Sequence, residues 1–113
     1  MKSTKYPNAP KIVNKGSVMT IVGDGERMTL IRFDSDPGAV TPEHAHPHEQ
    51  IGTCIRGRGK MTSGGKILAI EPGVTWIIPP GELHSFAVEG TEPMLLFEVF
   101  SPPREDFLKA AKP

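Results

Sequence analysis

The segment His44-Ala45-His46-Pro47-His48-Glu49-Gln50 gathers the side chains of this chain best suited to chemistry. On an extended backbone side chains alternate between faces, so His44 and His46 point the same way and can converge on one ion. Gln50 falls on the same parity, and its side-chain oxygen can join them if the strand resumes after Pro47. A third imidazole, His84, follows the turn-forming run Pro79-Pro80-Gly81-Glu82-Leu83, and a β fold can bring it opposite the first pair. Three neutral imidazoles and one amide suit a single divalent transition metal (nickel, iron, manganese, zinc or copper) better than calcium or magnesium, which prefer oxygen ligands. A His-x-His pair alone is a weak signal, because most histidines are surface groups or satisfied core residues. Its weight here comes from placement: the four histidines lie in two clusters, each between a glycine or proline turn and a strand-like run.

The elements that must hold these side chains are short. Twelve glycines and twelve prolines in 113 residues break the chain often, which favours strands over long helices. Strands are expected at 18–22, 28–34, 51–56, 60–63, 66–70, 74–78, 84–89 and 94–100, with a hairpin across Gly64-Gly65. The run 74–78 is almost continuously apolar and is expected to be covered on both faces. In 84–89, His84, Phe86 and Val88 share one face. In 94–100, Met94, Leu96, Glu98 and Phe100 share one face while Leu95, Phe97 and Val99 share the other. Glu98 is the exception in an apolar run, and a buried carboxylate needs a partner or a purpose. The bland partner is a cation such as Arg32 or Arg56; the functional reading is proton transfer beside the metal. The first fifteen residues read as an extended arm suited to packing on a neighbouring subunit, and residues 101–113 as a tail with one short helix capped by Ser101. Many short strands at regular spacing indicate one domain over residues 1–113, all-β, a small antiparallel barrel or double-sheet jelly roll.

Composition narrows the function. Lysine plus arginine equal aspartate plus glutamate at 13 each, so the chain carries no electrostatic footprint for nucleic acid or an anionic membrane. The N-terminus lacks the apolar stretch of a secretory signal, and the single cysteine, Cys54, forms no internal disulfide, so a cytoplasmic location is expected. Cys54 sits in a strand-like run and is expected to be buried.

Two motifs stand out once the glycines are included: Gly38, His44, His46, Gln50 and Gly57, then Gly73, Pro79, Gly81 and His84. In order and spacing they resemble the paired motifs of the cupin superfamily. The resemblance implies a double-stranded β-helix, a jelly-roll barrel, with a metal inside, held by His44, His46, His84 and Gln50. Gln50 stands where many cupins have a glutamate, and Val88 where the second motif often ends in asparagine. With only neutral ligands the ion keeps its full double positive charge and attracts anions.

Within the superfamily, HAHPHEQIG, IPPGELHSF and LLFEVFSPPREDFL look like the KdgF group of pectin-degradation proteins. That likeness implies opening of an unsaturated uronate ring to a linear keto-uronate. It also implies roles in catalysis for Glu98, which stands where the group has an aspartate, and for Phe100. Arg104 is placed to meet a substrate carboxylate or to pair with Glu105 or Asp106. The expectation is therefore a metal-dependent enzyme acting on a small anionic sugar acid. It needs no organic cofactor, and cupin precedent implies a homodimer. An iron- or manganese-dependent dioxygenase and a non-catalytic ligand-binding module are the alternatives. His48 is expected outside the metal's ligands, Glu49 as an imidazole partner or in water, and Trp76 and Phe86 in the barrel core.

Overall fold

The computed structural model describes residues 1–113. Ten strands follow a single 3₁₀ turn at Tyr6–Asn8: β1 (Lys11–Asn14), β2 (Ser17–Asp24), β3 (Thr29–Ser35), β4 (Val40–His44), β5 (Glu49–Arg56), β6 (Arg58–Ser63), β7 (Lys66–Ile70), β8 (Thr75–Ile78), β9 (His84–Glu89) and β10 (Met94–Ser101). One helix, α1 (Glu105–Ala110), closes the chain. All pairings are antiparallel and form two sheets, of order β1-β2-β3-β10-β5-β8 and β4-β9-β6-β7. The expected all-β jelly-roll barrel with a short C-terminal helix is what the chain adopts. No helix is long and apolar enough to cross a membrane.

The alternation in β10 explains why this strand can be central. Met94, Leu96, Glu98 and Phe100 are buried on the inner face, while β3 and β5 flank it on either side. A larger core cluster joins the sheets through Cys54, Met61, Ile70, Trp76, Ile78, Val88, Met94 and Leu96. A smaller one, Ile21, Ile31 and Phe100, lies beneath Phe107, Leu108 and Ala111 of the C-terminal segment. Burying an aliphatic side chain of this size contributes about 1.5–3 kcal/mol, and Phe33 packs against both clusters.

Four expectations change. Residues 11–14 are not free arm: they pair with β2, and Ala9 is buried, because Pro10 and Lys11 carbonyls accept from Ile21 and Lys112 and tie the segment to its own barrel. β8 is covered on one face only; Trp76 and Ile78 point inward, but Ile77 is 66% exposed because β8 is an edge strand with nothing over its outer side. Ser101 does not cap α1. Its hydroxyl donates to the Arg27 carbonyl, and the helix starts after Arg104. His44 and His46 do not share one strand: His44 ends β4 in the smaller sheet, and His46 lies where the chain crosses to β5 in the larger one.

Candidate metal centre

The two histidine motifs meet across β4 and β9, where His44 and His84 are cross-strand partners. Each ring is held the same way: Nδ1 lies 2.9 Å from the carbonyl of Pro42 in His44 and 2.8 Å from that of Glu82 in His84. Nδ1–H therefore donates to a backbone oxygen two residues upstream, and Nε2 carries the bare lone pair a metal needs. Gly81 joins the motifs, its amide donating to the His46 carbonyl at 2.9 Å, at a φ of +78° that an L side chain rarely adopts. The nitrogens of His44, His46 and His84 come within 4.8 Å of one another.

This donor set fits a transition metal. His84 Nε2 is buried without a partner, a costly state that a ligand relieves. Burial keeps the imidazoles neutral: it lowers His84, and it takes His46 down to about 4, helped by the charges of Arg104 and His84. Gln50, on the inner face of β5, places Oε1 at 3.0 Å from His46 Nε2. Among the expected ligands, the three histidines form a cluster and the amide oxygen adjoins it.

Glu98 lies directly behind Gln50. Its Oε2 accepts from Gln50 Nε2 and, at 2.8 Å, from Trp76 Nε1, and no protein donor reaches Oε1. The expected cation partners are engaged or absent, since Arg32 pairs with Asp34 and Arg56 forms no ion pair. Burial raises the Glu98 pKa, opposed by the bonds from Trp76 and Gln50. Phe100 packs edge-on to His46, with centroids 5.6 Å apart. Arg104 lies over Phe107 and Phe100, at 3.7 and 4.7 Å, and makes two hydrogen bonds to Asp106, whose carboxyl it holds below the usual range. The anticipated surface pair is thus half right: Arg104 itself is buried.

All seven expected residues line one cavity of about 540 Å³, closed on its other sides by Met19, Phe33, Phe86 and Phe107. His48 is buried beside His46 and Phe100 but outside the cluster, and Glu49 is exposed and bonds no imidazole. Trp76 is core, as expected. Its bond to Glu98 has no signature in the sequence, because its β8 parity reads the same as that of Ile78.

Residues 31–100 match the family model of the cupin domain. Among solved structures, the chain is similar to an RmlC-like cupin from Shewanella frigidimarina (23% identity, TM-score 0.85, covering 95% of this chain and 96% of that one). It is also similar to KdgF from Halomonas sp. (24%, TM-score 0.84, covering 94% and 99%). A third is the polyketide cyclase RemF from Streptomyces resistomycificus (26%, TM-score 0.74, covering 90% and 79%).

Proposed function

The chain belongs to the cupin family, and on that premise we propose that it is a metal-dependent enzyme that opens the ring of an unsaturated uronate to the linear keto-uronate. The observation that carries this reading is the buried carboxyl of Glu98, anchored through one oxygen and with the other free, in the same cavity as the histidine cluster. The fold likeness to KdgF and the local likeness of the histidine, proline and C-terminal segments support it.

His44, His46, His84 and Gln50 would hold the ion, which supplies a Lewis acid for a substrate oxygen. The remaining chemistry belongs to the chain. Ring opening of a cyclic hemiacetal removes a proton from its hydroxyl, breaks the ring carbon–oxygen bond and adds a proton to the alkene carbon. One group that gives its proton to the alkene carbon and recovers one from the hydroxyl balances this isomerisation, and no electrons change hands. Glu98 is that group. Both of its anchoring bonds fall on Oε2, so a proton on the neutral acid sits on Oε1. Burial favours that neutral acid, placing its readiness to donate nearer neutral pH than an ordinary carboxyl would. Arg104 meets the substrate carboxylate: Asp106 takes Nε and one Nη, leaving the other Nη free. Phe100 and Phe107 give the cavity an apolar wall that fixes the ring plane and limits water. The same reading places the protein in uronate metabolism in the cytoplasm, and cupin precedent makes it a homodimer.

Following unsaturated uronate monomer by NMR tests it, against buffer alone because the ring also opens spontaneously. Acceleration by metal-loaded protein supports the reading. No acceleration over buffer with nickel, iron, manganese or zinc overturns it, and oxygen uptake with iron or manganese would then identify a dioxygenase instead.

A further inference from the structure

One rung of the larger sheet runs Ile31, Glu98, Gly52, Trp76 across β3, β10, β5 and β8. Trp76 and Glu98 are not neighbours on this rung, since β5 lies between them. They nonetheless touch, Nε1–H to Oε2, because the indole lies flat over Gly52. A Cβ at position 52 would sit 2.5 Å from Trp76 Nε1 and Cε2 and 2.6 Å from Cζ2, so any side chain there pushes the ring away. Strands are spaced about 4.8 Å apart, and a donor on β8 reaches β10 only with a side chain as long as tryptophan and with nothing beneath it.

The second donor to the same oxygen is Gln50 Nε2. The two ends of an amide are nearly isosteric, so the shape of the pocket does not choose which faces the histidines. Hydrogen bonding chooses. Glu98 Oε2 is an acceptor, held in place by the donor-only indole, and it takes the NH₂ end of Gln50. The oxygen end is thereby left toward His46, 3.0 Å away. A metal accepts only that end.

We propose that Trp76 and Gly52 are positioning residues of the metal centre: the indole, laid across the bare backbone of Gly52, fixes Glu98, and Glu98 fixes the Gln50 amide with its oxygen toward His44, His46 and His84. The role rests on the reading that these four residues hold a metal. It assigns Glu98 two separate oxygens, Oε2 as anchor and Oε1 as the proton carrier.

Trp76 is the chain's single tryptophan, so its indole N–H gives one unambiguous signal in ¹⁵N NMR of the full chain. In metal-free protein, Glu98→Ala moves that signal upfield; an unmoved signal overturns the bond and the role with it. Zinc added to native protein moves the signal, and Gln50→Leu removes the response; an unresponsive native signal despite bound zinc overturns the relay. By calorimetry Trp76→Phe lowers zinc affinity about tenfold, the usual loss when a ligand's orienting partner is removed. Affinity equal to native overturns the positioning role. Gly52→Ala has the same effect if it folds. If it does not, Gly52→Ala with Trp76→Leu relieves the clash and binds zinc as weakly as Trp76→Leu alone, whereas native affinity in that double variant overturns the proposal. Native protein that binds neither zinc nor cobalt instead overturns the metal reading, and the purpose assigned here to Gln50 falls with it.

Discussion

The two sides of the candidate metal centre are held by different means. On the β4 and β9 side, His44 and His84 are each oriented by a carbonyl two residues away in the same chain segment. On the β5 and β10 side, Gln50 is oriented by a residue 48 positions distant, and that residue in turn by one 22 positions distant. The first arrangement forms wherever the local backbone forms. The second exists only when three strands are in register, and a shift of one residue would turn Glu98 to the outer face. Local orientation makes a site robust; long-range orientation makes it dependent on the whole barrel.

The largest effect that would break this contrast comes from the local side. His84→Ala removes a proposed ligand without disturbing any long-range side-chain bond. It should cost about a hundredfold to a thousandfold in zinc affinity by calorimetry, since apparent zinc binding energies of about 10–16 kcal/mol shared over four ligands leave about 2.5–4 kcal/mol each. A loss no larger than that of Trp76→Phe would mean that the imidazole does not ligate. Next comes Glu98→Gln, which sharpens the contrast by separating anchor from chemistry. The new carbonyl oxygen still accepts from Trp76 and Gln50, so zinc affinity stays near native, while kcat for ring opening falls about a hundredfold with the proton carrier gone. Native kcat would assign the proton step to another group.

The smallest effect is on stability. His46 is held near 4 by burial, against about 6.5 when unfolded. Below 6.5 the unfolded chain takes up the proton more readily than the folded one, so the metal-free protein loses stability as the pH falls from 6.5 toward 4. Its Tm should drop over that window, and the drop should be shallower in His46→Gln; identical profiles would show that His46 titrates alike in both states.

What was legible in the sequence follows the same division. The histidines, the turns at Gly38 and Gly81 and the parity of β10 are local patterns, and from them the jelly roll, the three-histidine cluster and the grouping of Glu98 with Met94, Leu96 and Phe100 can be read directly; which face of β10 turns inward cannot, because both are otherwise apolar. Spacing also led to one incorrect local picture, with His44 and His46 on a single strand, because the crossing between sheets at Pro47 has no periodic signature. The arm was misread for a related reason: 11–14 shows no core-facing alternation, since β1 is an edge strand with Val13 exposed. The partners of Glu98 were illegible altogether. A glycine in β5 and a tryptophan in β8 become one device only when the register places them side by side.

β10 lies between β3 and β5, yet both of those strands precede it in the chain. During synthesis the ribosome therefore delivers the middle of the larger sheet after its flanks. Until Met94–Ser101 emerges, β3 and β5 each present an unpaired edge, the form of nascent chain most prone to pair with its neighbours. The amide of Gln50 lacks its Glu98 partner before then, so Gln50 and the histidine cluster reach their finished geometry only once β10 has been translated and docked.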